Sequence, residues 1–362
     1  MTVFCGDNSG MQESEQIAPM PQGIGYEEWS HIGLGLRQRM VLMEALALDL
    51  HGVQSLLQSG WVPAALAIGH GGHIPLLRGI SPRGGRWLAM ARFRIGHTPS
   101  GWQVLSADTR WPNPMPETLR QAIVAWSRSW VNCLNLNPNP APWVLLDPQH
   151  HAPVRHVADH LLWAGPQDLE VHGTQLRLHG AAGVLQVTGL IHLGADGPVD
   201  PLEQNAPLSV GIAGLIQSWR LGQFAMLNAP GLSFLNTPAW LGFMGPLSKH
   251  LFQQDLLLPS LPTWWCGESQ VLPQAMALWS EGRLFATFPD DGLRPAPKTM
   301  HGPDLSASQR EAWLSTLQEH GEKYTIQAPW PRTTIHEVVL LWGPDGNHTM
   351  VWIPDTHQGV SP

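Results

Sequence analysis

Residues 258–268 read Leu258-Pro259-Ser260-Leu261-Pro262-Thr263-Trp264-Trp265-Cys266-Gly267-Glu268. Cys266 is the candidate nucleophile of this stretch. A catalytic thiol needs a base within reach and a third group to orient that base. No histidine and acid are arranged with it in the sequence, so Cys266 reads as a buried structural thiol. The other cysteines, Cys5 and Cys133, are equally isolated and show no CxxC spacing. Three such residues build no disulfide framework and point to a reducing cytoplasm. The opening MTVFCGDNSGMQESEQ lacks the basic and apolar regions of a signal peptide, which agrees with that location.

Upstream of the stretch, no residue between Arg220 and Lys249 is charged, a run long enough to span a bilayer. Asn228, Pro230, Gly231, Asn236, Pro238, Gly242 and Gly245 interrupt it, and a spanning helix tolerates few of these. Loops and short elements packed in a core are expected there, with no membrane segment. Composition supports a folded chain. Of 362 residues, 43% are hydrophobic, 13% are charged and 18 are tryptophan. Charged residues make up about 25% of an ordinary soluble protein, so this chain has the opposite of a disordered composition. A net charge of -8 with only three lysines argues against a nucleic-acid surface, which needs clustered cations.

Working outward, the periodicity predicts elements of both classes. Leu34, Met40, Leu42, Leu46, Leu50, Val53, Leu56 and Leu57 recur near helical spacing, with Gly60 as the stop. Residues 86–93 and 101–105 read as strands, 117–134 as a helix and 143–147 as a short buried strand. A histidine-rich helix is expected to follow to Trp163, then a hairpin of 169–171 with 175–178, a strand from Val184 to Ile191 and a helix from Leu208 to Leu221. Gln309 to His320 reads as a helix capped by Ser306, and 337–342 with 348–353 as a final hairpin across Gly343-Pro-Asp-Gly346. Strand, helix and strand in succession suggest an α/β layer. No internal repeat is present.

Eighteen histidines raise the question of metal. On the expected helix, His156 and His160 would sit one turn apart, the spacing with which two imidazoles share zinc. No glutamate lies between them, so the metalloprotease pattern is missing, and a helix rich in surface histidine is the plainer reading. Neither GxxxxGK[ST] nor GxGxxG occurs, so no P-loop or dinucleotide fold is indicated.

The 258–268 stretch resembles a signature of the circularly permuted ATP-grasp type 2 family, large bacterial proteins similar to carboxylate–amine ligases. The likeness continues in both directions and in matching order. Glu28-Trp29, Leu36-Arg37-Gln38-Arg39 and Asp49-Leu50-His51-Gly52 resemble its amino-terminal helical region, and Gly84–Leu88 and Trp102–Ser106 the strands that follow. Asp200-Pro201-Leu202-Glu203, Gly211–Gln217, Arg220-Leu221-Gly222 and Asn228–Gly231 resemble its central block. Leu305-Ser306-Ala307 and Tyr324–Gln327 resemble the downstream pieces. The resemblance implies an α/β (mixed α+β) fold of circularly permuted ATP-grasp-like architecture, with an amino-terminal helical region and mixed sheets. The expected organisation is a flexible 1–25, a helix-plus-strand region 26–110, a central α/β domain 115–255 and an ATP-grasp-like region 256–362, the last shortened relative to a longer family member.

The departures bear on function. The family leads one to expect an Arg-Arg pair and several acids before Asp200-Pro201, where this chain has His192-Leu193 and Ala195-Asp196-Gly197. Thr287 stands near the basic position expected before a proline, and the phosphate loop opens with Asp290-Asp291. The arginine expected in the last hairpin is absent from Glu337–Leu341. Phosphoryl transfer depends on cations and backbone amides around the phosphates, and two aspartates there repel an anion. The resemblance therefore implies a catalytically degraded homologue acting as a binding or assembly partner in a peptide- or amide-ligase system. The alternative is an active ATP- and Mg-dependent carboxylate–amine ligase. In that case Asp196, Asp200, Glu203 and Asn228 are the catalytic candidates, with Thr287, Arg294, Lys298 and Gln327 on the nucleotide side. The resemblance also implies an alpha-E domain protein and a transglutaminase-like protein as partners.

Overall fold

The structure is a computed structural model that describes residues 21–354 apart from 22, 69–72, 113, 135–141, 182, 194–198, 204–210, 269, 271, 274–278, 280–282, 287–299 and 302–303. The first part of the chain forms helices α1 (Tyr26–His51), α2 (Ser55–Gln58) and α3 (Ala64–Ala67), then strands β1 (Met90–Thr98) and β2 (Gly101–Asp108). Helix α4 (Glu117–Cys133) precedes β3 (Trp143–Leu146), β4 (Arg155–Ala158) and β5 (Leu161–Ala164). Next come β6 (Leu169–His172), β7 (Gln175–Gly180), β8 (Gly183–Gln186), β9 (Gly189–His192), α5 (Leu215–Arg220), β10 (Ala225–Leu227) and α6 (Trp240–Phe252). The last third contributes β11 (Thr263–Trp265), β12 (Arg283–Ala286), β13 (Met300–His301), α7 (Ala307–His320), β14 (Tyr324–Gln327), β15 (Ile335–Trp342) and β16 (His348–Ile353).

Four sheets result, ordered β16-β15-β1-β2, β10-β9-β3-β5-β4, β11-β14-β12-β13 and β6-β7-β8. The first is antiparallel and joins strands from both ends of the chain. In the second, β10, β9, β3 and β5 run parallel, and β4 is an antiparallel edge. All four residues of β3 are buried, as expected of a parallel interior strand with both faces covered. The first sheet also feeds two cores. Ala91, Phe93, Val338 and Leu340 face the large core built on α1, whereas Met90, Val339 and Leu341 face a second core with Trp126 and Trp130 of α4. Strand alternation sends neighbouring side chains to opposite faces.

Helix α1 buries Leu36, Met40, Met43, Ala47 and Leu50, one face at helical spacing. It stops at Gly52, short of the expected Leu57. The Asp49 carboxylate accepts from the Ser55 and Leu56 amides and starts the separate turn α2. Strand β1 begins at Met90 because the Trp87 and Leu88 amides donate to the Glu44 carboxylate at 3.0 and 2.7 Å rather than to a strand.

Three expectations are corrected. The histidine-rich segment is no helix: β4 and β5 form a hairpin, with His156 opposite Leu162. Pro148 and Pro153, ahead of it, and its Val and Trp content favour extended backbone over the coincidental i, i+4 spacing. Val184 to Ile191 is two strands in different sheets, β8 beside β7 and β9 beside β3. Helix α5 starts only at Leu215, because Gly211 and Gly214 take left-handed φ of 79° and 81°. Both expected hairpins and helix α4 are present. Ser306 caps α7 in a reciprocal pair with Gln309. No helix among the described residues is long and apolar enough to cross a membrane.

Candidate functional site

The 258–268 stretch is held from two sides. Arg39 of α1 is buried, and its guanidinium donates to the Leu258 carbonyl at 2.6 and 3.2 Å and to Ser260 Oγ at 3.0 Å. Burial lowers its pKa to about 9, and the carbonyl and hydroxyl acceptors receive its donors. Gln38 brackets the same approach, donating to the Asp255 carbonyl and accepting from the Leu257 amide. On the other side, the Val104 amide of β2 donates to the Pro259 carbonyl, and the Leu261 amide to the Val104 carbonyl. The void beside Arg39 measures about 30 Å3 and is walled by Phe93, Leu235 and Trp240. That volume admits about one water and no nucleotide.

The polar candidates serve backbone. Asp200 is fully buried; its Oδ1 accepts from the Leu202 and Gly214 amides and its Oδ2 from the Ile216 amide, at 3.0–3.1 Å. It thereby fixes the loop entering α5. The Asn228 amide accepts from the Ala89 and Met90 amides and donates to the Met90 and Thr109 carbonyls, at 2.8–3.0 Å. Gln327 donates to the Leu105 carbonyl and Thr263 Oγ1, and accepts from Trp330 Nε1. Asn228 and Gln327 each join segments distant in sequence. Glu203 lies in the turn after Asp200, partly exposed. Asp196, Thr287, Arg294 and Lys298 lie outside the described residues.

The zinc candidates are not brought together. His156 is exposed on β4, whereas His160 is buried and meets Ser127 Oγ at 2.9 Å. Burial, then the Arg128 charge, keep the His160 ring below its usual pKa. Among the described residues no group of three or more His, Cys, Asp or Glu could hold a metal ion. Among the described candidates, Asp200 and Asn228 direct the hydrogen bonds described above to backbone groups.

Ion pairs that sequence reasoning missed brace the first sheet. Arg92 and Arg110 pair with Asp108 at 2.8 and 2.7 Å, and Arg94 pairs with Glu337 at 3.0 Å. Burial would raise the Asp108 pKa, but the hydrogen bonds and charge of Arg110 and the charge of Arg92 bring it below the carboxylate norm. His192 ends β9 where the resemblance leads one to expect an arginine. Burial pulls it down to about 4 despite the opposing Asp147 charge, so the ring is neutral at physiological pH.

The sequence matches the circularly permuted ATP-grasp type 2 family over residues 21–122 and 159–348. An uncharacterized protein of Mycobacterium tuberculosis is 24% identical over 336 residues, 85% of this chain and 37% of that relative. One of Synechocystis is 22% identical over 373 residues, covering 94% of this chain and 76% of its own. One of Mycobacterium leprae is 22% identical over 289 residues, 71% of this chain and 51% of that protein. The chain thus spans little more than a third of the length of the Mycobacterium tuberculosis relative.

Proposed function

Because the chain belongs to the circularly permuted ATP-grasp type 2 family, we propose that it keeps the carboxylate–amine ligase-like fold, has lost the nucleotide chemistry, and acts as a binding or assembly partner in a peptide- or amide-ligase system. The observation that carries this reading is His192. A half-buried histidine at the end of β9 occupies a position where the resemblance leads one to expect a permanent cation. Electrostatic stabilisation of a transferring phosphoryl group needs such cations in place beforehand. The commitment of Asp200, Asn228 and Gln327 to backbone and structural side-chain contacts supports the same reading, as do Thr287 and the Asp290-Asp291 pair in the sequence.

Thermal unfolding with Mg-ATP tests it. A ligand at about a hundred times its dissociation constant adds roughly 2.7 kcal/mol, and each kcal/mol moves the midpoint of a domain of ~150–250 residues by roughly 2–4 °C. The expected shift with millimolar Mg-ATP is within experimental noise. A reproducible rise with ATP and Mg, absent with AMP, overturns the reading in favour of an active ATP- and Mg-dependent ligase. The proposed partners are an alpha-E domain protein and a transglutaminase-like protein. Co-expression followed by size-exclusion chromatography is expected to return a complex with one of them.

A further inference from the structure

An open cleft of about 450 Å3 lies between α6, β11 and the segment carrying Trp61. Ligand pockets typically occupy ~300–1,000 Å3. Its walls include Trp61, Phe243, Trp264 and Trp265, and Glu268 is the charged residue among those that line it. No lysine, arginine or histidine is among the described lining residues.

The aromatic wall is braced from behind. Trp61 stacks on His250 with ring centres 4.0 Å apart, and Phe243 packs at 6.1 Å against Trp240 and 6.3 Å against Trp265. Trp265 Nε1 donates to the Glu322 carbonyl at 3.0 Å. A side chain on Gly242 would come within 2.6 Å of the Thr263 carbonyl, so the close approach of α6 to β11 sets the shape of the cleft. Rings fixed in this way need little reordering when a ligand arrives.

Indole and phenyl faces carry negative potential, and a cation within about 6 Å of a ring centre is attracted to it. A carboxylate beside this aromatic wall, with no basic residue among the described lining residues, favours positive charge and disfavours anions. We propose that this cleft binds a small organic cation of the quaternary-ammonium class. The proposal goes beyond the function argued above, because it requires neither ATP nor Mg and stands whether or not nucleotide binding has been lost.

Choline and its neutral isostere 3,3-dimethylbutan-1-ol, titrated calorimetrically into the full chain, separate charge from apolar fit. Saturable choline binding with at least fivefold weaker binding of the isostere is expected. Glu268→Gln, a change at an exposed residue, and Trp61→Ala should each weaken choline about five- to tenfold, with unchanged circular dichroism. Equal binding of choline and the isostere, no saturable choline binding, or binding insensitive to both substitutions would each overturn the proposal.

Discussion

Asn228 holds Met90 by both of its backbone polar groups, accepting from its amide at 2.8 Å and donating to its carbonyl at 2.9 Å. The same side chain reaches Ala89 and Thr109, so the loop after β10 is joined to the ends of β1 and β2. Asn228→Ala strips four backbone groups of their partner. Unsatisfied buried groups cost ~1–3 kcal/mol each and do not add fully, so a loss of about 3 kcal/mol is expected in urea unfolding. Asn228→Asp keeps the acceptor, loses the two donations and should also destabilise. A loss below about 1 kcal/mol for Asn228→Ala would show that the clamp is not structural.

Two helical glycines should respond in opposite senses. A Cβ on Gly35 of α1 would lie 2.4 Å from Leu258 Cγ, whereas one on Gly245 of α6 meets nothing within 4 Å. Gly245→Ala is therefore expected to stabilise by up to about 1 kcal/mol through helix propensity. Gly35→Ala has the same propensity gain, but overpacking costs ~1–3 kcal/mol and should reverse the sign. Paired denaturation curves decide this, and equal shifts for the two variants would contradict the packing of α1 on the 258–268 stretch.

Thiol chemistry distinguishes the two described cysteines. Cys266 is buried, and burial pushes its thiol up to about 12 even against a hydrogen bond with the Ile326 backbone. Cys133 is exposed at the end of α4. Because the thiolate is the reactive species, iodoacetamide at pH 8 should label Cys133 in the native protein and reach Cys266 only after unfolding. Peptide mapping by mass spectrometry reads the outcome. Native labelling of Cys266 at a comparable rate would reopen its reading as a nucleophile.

Stability should fall in acid, and Glu44 should moderate that fall. Burial holds His51 and His192 at about 4, and burial with the charges of Arg37 and Arg86 holds His348 at about 3, all below the ordinary 6.5. The unfolded chain accepts protons that these folded rings refuse. Their contribution is present above pH 6.5 and is lost as pH falls towards 4. Burial raises Glu44 from 4.5 to about 7 against the Trp87 and Leu88 hydrogen bonds and the Arg86 charge. Its contribution runs the other way, present below pH 4.5 and lost as pH rises through 7. Glu44→Gln removes the opposing proton, so stability should climb more steeply between pH 4.5 and 6.5, by about 1.4 kcal/mol per pH unit. His51→Phe should flatten the slope by a similar amount. An unchanged slope in Glu44→Gln would place its ionisation outside this window.

What could be read from the sequence followed the range over which each signal acts. Ser306 as the cap of α7 and the Gly343–Gly346 turn are local patterns and appear as expected. The apolar pattern of α1 is kept in part, since Leu34 and Val53 are exposed and the helix ends before Leu56. The 156–160 spacing fits a helical turn as well as a hairpin, and only the pairing of β4 with β5 decides between them. Asp200, Asn228 and Gln327 stood out through the family resemblance. Whether such a group faces a ligand or a backbone amide depends on segments far away in sequence. Arg39 illustrates this: its acceptor Leu258 lies 219 residues downstream. The neutral state of His192 was equally hidden, because burial sets it.

The pairing of β1 with β15 has a consequence during synthesis. Gly96 lies opposite Ile335 and Met90 opposite Leu341, so roughly 240 residues must be added after β1 before its inner partner exists. At about 5–20 residues per second, a nascent chain waits on the order of 10–50 s with one side of β1 zipped to β2 and the other bare. A bare strand edge is a template for pairing with another chain. Ribosome-bound chains released before residue 335 should therefore be the species most prone to aggregate and the one chaperones bind longest, while nearby elements such as the β6–β8 meander can already have formed.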